Sequence, residues 1–135
     1  MNRQILFRGK TIEKDEWVEG YLVQGQWYYA DSPMTVIIPT DITFYPRCEI
    51  SSYEDVDPKT VGQWTGLVDK NGKKIFEGDI VECTVTYDVG CYPYSITESR
   101  EVVYRDGCFY PLHRCERNSC EVVGNKWDNP ELLKE

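Results

Sequence analysis

The residues best equipped for chemistry in this chain are its cysteines. Cys108-x6-Cys115-x4-Cys120, with His113 inside the run, offers the sulfur and imidazole ligands that zinc prefers. Structural zinc sites, however, usually place close Cys-x2-4-Cys pairs on a tight knuckle. Cys115-x4-Cys120 comes nearest to that pattern, and the rest of the run departs from it. Single cysteines also serve as small core hydrophobes. The expectation from spacing is therefore no structural metal, no cofactor and free thiols.

Nucleophilic catalysis is the second chemistry to weigh. It needs a thiolate-forming cysteine beside a base. His113 is the only histidine, so a Cys–His pair would have to join it to Cys83, Cys91, Cys108 or Cys115. No elbow or oxyanion loop accompanies any of them, and a lone histidine on a β-rich surface is usually structural. Glu77 and Asp79 form the third constellation. Paired carboxylates can bind a divalent cation or divide acid and base roles. Here they flank Gly78 in a turn, where an aspartate commonly bonds its own backbone. Neither a catalytic nor a metal residue is assigned, and the chain is expected not to be an enzyme.

The elements that would position these groups are strands. Ten tyrosines, four tryptophans and four phenylalanines suit half-buried pleated surfaces, and turn residues recur at short intervals between them. "WVEGYLVQGQWYYA" predicts a hairpin, with Gln24-Gly25-Gln26 turning Trp17–Val23 back along residues 27–30. "MTVIIP" and "DITFYP" predict two short strands, each closed by a proline that cannot donate to a ladder. "SSYEDVDPKT" is polar and contains Asp57-Pro58, so it predicts an exposed loop between an N-terminal and a C-terminal part.

The most patterned stretch is "VGQWTGLVDKNGKKIFEGDIVE", residues 61–82. Asn71-Gly72 lies between two runs able to pair, and both residues tolerate the positive φ of tight hairpin turns. Glu77-Gly78-Asp79 predicts a second reversal. In "IVECTVTY" Val81, Cys83, Val85 and Tyr87 alternate with Glu82, Thr84 and Thr86, the signature of a half-buried strand. Arg105-Asp106-Gly107 predicts another turn. The glycines at 62, 66, 72 and 78 punctuate strands and open no helix, so they make no phosphate loop. In "GNKWDNPELLKE", Asn129 is placed to cap and Pro130 to start one short turn of helix.

Composition narrows the partners. The 23 acidic and 15 basic residues leave a net charge of −8, which repels a phosphate backbone on average. The one tight basic group, Lys70, Lys73 and Lys74, is surrounded by Asp69, Glu77 and Asp79. "MNRQILFRGKTIEK" has too short an apolar run for a signal peptide or a membrane span, so a cytoplasmic location is expected. In such a reducing compartment the six cysteines stay reduced. Trp17, Tyr21, Trp27, Tyr28, Tyr29 and Trp64 exceed what a small core can enclose, and aromatics are enriched where proteins meet partners.

Residues 61–82, then "REVVYRDGCFYP", then "EVVGNKWDNPELL" resemble the signature of the YopX-like family, and "RQILFRGKTIEKDEWVEG" is similar to its opening. The resemblance spans most of the chain. It implies a small cytoplasmic protein encoded by phages or prophages, with no established activity or catalytic residue set to carry over. Cys83 to Cys120 departs from the usual pattern, so metal chemistry there would be particular to this sequence.

These observations predict one mainly β domain over residues 1–135. It comprises a smaller β-rich part (1–50), a loop (51–60), an antiparallel barrel-like part of SH3-like kind (61–135) and a short C-terminal helix. The expected role is a non-enzymatic accessory protein that binds a host or phage protein and associates as a homo-oligomer, with no membrane partner. The competing classes are a nucleic-acid-binding small β-barrel and a metal- or thiol-dependent enzyme.

Overall fold

A computed structural model describes residues 3–26, 28, 32–42, 44–45, 49–50, 52–87, 90, 92–115 and 119–133. The chain is mainly β, with antiparallel sheets that include a half-barrel. It divides into two compact units, residues 1–64 and 65–135. Among the described residues no helix is long and apolar enough to cross a membrane.

The first unit holds β1 (Phe7–Lys10), β2 (Trp17–Gln26), β3 (Pro33–Ile38), β4 (Phe44–Tyr45), β5 (Glu49–Ile50), β6 (Glu54–Asp55) and the start of β7 (Gly62–Val68). Its main sheet runs in the order β6-β3-β2-β1-β7, and β4 pairs with β5. Leu6, Val36, Ile37, Ile38 and Val56 are its buried apolar side chains among the described residues.

Two expectations change here. Gln24-Gly25-Gln26 is not a turn: β2 continues straight through it, with Gly25 opposite Met34 and Gln26 opposite Pro33. The returning strand is therefore β3, and Pro33 is tolerated because it is the strand's first residue. The return along 27–30 lies largely outside the described residues, as do Thr43 and Pro46 of "DITFYP". The polar stretch at 54–60 is tied into the sheet. β6 pairs with β3, Val56 bridges Thr11, and the Asp57 carboxylate caps a 3-10 turn at Pro58–Thr60 by accepting from Lys59 N at 3.0 Å.

The second unit takes the rest of β7, then β8 (Lys74–Phe76), β9 (Asp79–Tyr87), β10 (Tyr94–Glu101), β11 (Val103–Arg105), β12 (Cys108–Tyr110) and β13 (Glu121–Asn125). β7 pairs with β8, β11 with β12, and a three-stranded sheet runs β10-β9-β13. Its core is Ile75, Val81, Cys83, Val102 and Cys120, with Phe109, Leu112, Cys115 and Val122 packed against it. The alternation in β9 holds: Val81 and Cys83 are buried, whereas Thr84 and Thr86 bond Thr97 (3.2 Å) and Ser95 (3.0 Å) on the other face. The C-terminal helix is only a 3-10 turn, Pro130–Leu133.

Two tight turns of this unit differ in kind. Asp106 and Gly107 have φ of 54° and 79° and join Arg105 to Cys108, a two-residue hairpin turn that matches strand twist. At Asn71-Gly72 only Gly72 is left-handed, with φ 82°. Gly72 N donates to Asp69 O (3.0 Å) and Asp69 N to Lys73 O (2.7 Å), which makes a three-residue loop ending in a left-handed glycine. The Asp69 carboxylate selects this longer turn, because its Oδ1 accepts from both Asn71 N and Lys73 N.

A Cβ at Gly72 would meet nothing within 4 Å, so conformation alone opposes substitution there. Gly72→Val should cost about 1–2 kcal/mol, and Lys73→Ala about 0.5 kcal/mol or less. Thermal melting of both variants checks this. Equal melting temperatures would mean that the turn does not need its glycine.

Candidate functional site

Folding converges three of the cysteines in the second unit. The sulfurs of Cys83, Cys115 and Cys120 all lie within 4.8 Å of one another. Cys83 comes from the buried face of β9, where the strand's alternation places it beside Val81. Cys115 follows a 3-10 turn at Leu112–Arg114, and Cys120 directly precedes β13. Cys120 is held in place by its own carbonyl, which accepts from Lys70 N at 2.9 Å.

Burial sets the chemistry of these thiols. Cys83 and Cys120 are enclosed, and Cys115 is half-buried with Sγ donating to Pro111 O at 3.3 Å. Burial first, then the neighbouring thiols, pushes Cys83 far above the ordinary thiol range. Burial likewise pushes Cys115 up to about 11. Both are neutral near pH 7, so neither is poised as a nucleophile.

The other sequence candidates lie elsewhere. Cys108 sits in β12, and Cys48 and Cys91 lie outside the described residues. The His113 ring packs edge-on against Tyr110 at 4.0 Å. Asp79 is buried, and its Oδ2 accepts from Phe76 N at 2.8 Å, which closes the Glu77-Gly78 reversal on itself. Cys83 was reachable from its position on an apolar strand face. Its meeting with Cys115 and Cys120 depends on tertiary structure that no spacing encodes.

A second feature was not foreseen. The β9–β10 ribbon is longer than β13, which pairs only with Asp79–Glu82. Its inner face therefore outruns the core. Tyr87 stacks on Tyr94 (5.4 Å), and Tyr94 and Ile96 are 49% and 41% exposed. Beside that face lies a groove of about 660 Å³, bounded by Tyr87, Tyr110, Arg105, Arg114 and the Glu98–Arg100 ion pair. The Arg105 guanidinium carbon lies over Tyr110, 4.4 Å from the ring centre. Among the described residues, neither Arg105 nor Arg114 has a carboxylate in ion-pair contact. Arg105 and Arg114 share the groove with Arg100 and with the acids Glu98, Glu101 and Asp106, so its charge is mixed, unlike the net −8 of the chain.

The chain matches the protein family described as "YopX protein" over residues 6–134. It is also similar to protein EF1440 from Enterococcus faecalis, known from a crystal structure. The two share 30% identity over 97% of this chain and 99% of that one, with a TM-score of 0.59. No curated protein matches.

Proposed function

The chain belongs to the YopX family, and from that premise we propose that it works without catalysis, as a protein-binding accessory module. Family membership suggests a phage-type accessory protein, and a cytoplasmic setting accords with its thiols. The observation that carries the binding role is the groove beside the β9–β10 ribbon. A tyrosine-bearing strand face continues past the core into a cleft whose Arg105 and Arg114 have no ion-pair partner among the described residues, although Glu101 and Asp106 line it too. Such a surface suits a partner segment that brings carboxylates to Arg105 and Arg114 and apolar side chains to Tyr87 and Ile96. β10 is also the end strand of its sheet among the described residues, with the Pro130–Leu133 turn near it, and an edge strand is where a partner strand can add.

The competing nucleic-acid role would use the same arginines, but the net charge opposes a polyanion. Pull-down from host lysate, beside gel shifts with mixed DNA and RNA, separates the two. The parent protein should retain a specific protein, and Arg105→Glu with Arg114→Glu should weaken that capture about tenfold or more at unchanged melting temperature. Tenfold is the loss of about 1.4 kcal/mol, less than one good charge-assisted contact. Nucleic-acid binding at physiological salt with no captured protein would overturn the proposal.

A further inference from the structure

We propose that Cys83, Cys115 and Cys120 form a site for one thiophilic divalent cation of the zinc class, bound through three thiolates. The inference starts from convergence. The three sulfurs all lie within 4.8 Å of one another, close enough for one ion to reach them all. A zinc–sulfur bond is about 2.3 Å, so two sulfurs on one tetrahedral ion stand about 3.8 Å apart. The observed cluster needs to contract by no more than about 1 Å to reach that geometry. Its members are small, and Cys115, the half-buried one, leaves a side by which an ion could arrive.

The absence of a sequence knuckle does not weigh against such a site. A knuckle assembles its ligands on one tight turn and folds around the metal. Here the ligands come from β9, from the end of a 3-10 turn and from the lead-in to β13, so the fold itself brings them together. The core around them, Ile75, Val81 and Val102, supplies no competing oxygen ligand. Thiolates on such a site favour soft ions over magnesium or calcium. Cys108 and His113, the candidates that spacing highlights, are outside the convergent set.

The protonation balance is explicit. Each neutral thiol gives up its proton to solvent as its sulfur bonds the ion: one divalent cation and three thiols yield a tris-thiolate complex of charge −1 and three free protons. Cys115 must also release its hydrogen bond to the Pro111 carbonyl. The fourth coordination position is left to water on the Cys115 side, as in zinc sites with three protein ligands.

Cadmium is the probe, because its thiolate complexes absorb strongly in the ultraviolet. Reduced, chelator-treated full-length protein is titrated with Cd²⁺ alone, under reductant that does not bind the metal. Charge-transfer absorption should saturate at one ion per chain and the melting temperature should rise. Affinity should climb with pH, because binding releases protons. Zn²⁺ should displace the probe. Cys108→Ser should behave as the parent. Cys115→Ser, at the least buried member, should lose saturation at one equivalent, and Cys83→Ala and Cys120→Ala should do the same wherever they melt cooperatively. Absence of the absorption at one equivalent in the folded parent would overturn the site. So would a Cys108→Ser variant as impaired as Cys115→Ser.

Discussion

Replacing Asp69 with alanine should destabilise the second unit by about 2–4 kcal/mol, lowering its melting temperature on the order of 10 °C. The side chain is buried and serves three backbone donors. Oδ1 accepts from Asn71 N (2.8 Å) and Lys73 N (2.9 Å), and Oδ2 accepts from Val122 N (3.0 Å). One carboxylate therefore shapes the loop between β7 and β8 and fastens it to β13. Alanine leaves all three donors without an acceptor. A buried orphan donor costs about 1–3 kcal/mol, and the two in the turn recover part of that from water. Cys120 lies next to the same junction, through Lys70 N donating to its carbonyl, so the variant should also loosen the thiol cluster.

The same residue gives stability a pH dependence of definite sign. Burial alone would raise the Asp69 carboxyl, but the N–H groups of Val122, Lys73 and Asn71, with the Lys73 charge, outweigh it and hold the group below its ordinary value. A folded pKa below the unfolded one means that the unfolded chain binds the proton more readily. The stabilisation is complete above the unfolded value, about 4, and is lost as pH falls through the lower folded value. Asp69→Asn keeps one acceptor oxygen and cannot titrate. Its melting temperature should start below the parent's at neutral pH and converge on it in acid. Parallel curves for the two proteins down to about pH 2 would remove Asp69 from the acid response.

Strand pattern was largely legible because it is local chemistry. The alternation of Val81 and Cys83 with Glu82 and Thr84 marked the buried face of β9 correctly, and Asp106-Gly107 marked a tight turn. Gly25 misled because a glycine within a strand and a glycine in a turn look alike until the partner strand is known. Asp69 was overlooked although aspartate is a favoured first residue of turns ending in glycine. Its third bond, to Val122, spans more than fifty residues and leaves no local trace. The thiol cluster and the arginine groove are hidden for the same reason. Each depends on elements that meet only after folding.

Gly78 shows the long-range dependence at its most severe, and Gly78→Ala should cost about 2–5 kcal/mol. Two causes add. Gly78 has φ 90°, a conformation that costs an L-residue roughly 1–2 kcal/mol. A Cβ there would also lie 2.4 Å from two ring carbons of Trp127, and overpacking of that kind typically adds about 1–3 kcal/mol. The backbone cannot easily yield. Gly78 N donates to Val102 O (2.8 Å), Gly78 O accepts from Lys126 N (3.0 Å), and the adjoining Asp79 carboxylate holds Phe76 N. The turn thus ties the Glu77–Asp79 reversal to Lys126 and Trp127 near the C-terminus. A double-mutant cycle separates the causes. Trp127→Ala will itself cost stability, but in that background Gly78→Ala should lose only the conformational part, leaving a favourable coupling of about 1–3 kcal/mol. Additive losses would show that Trp127 does not seal the turn, and a Gly78→Ala protein that melts like the parent would show that the turn does not need its glycine.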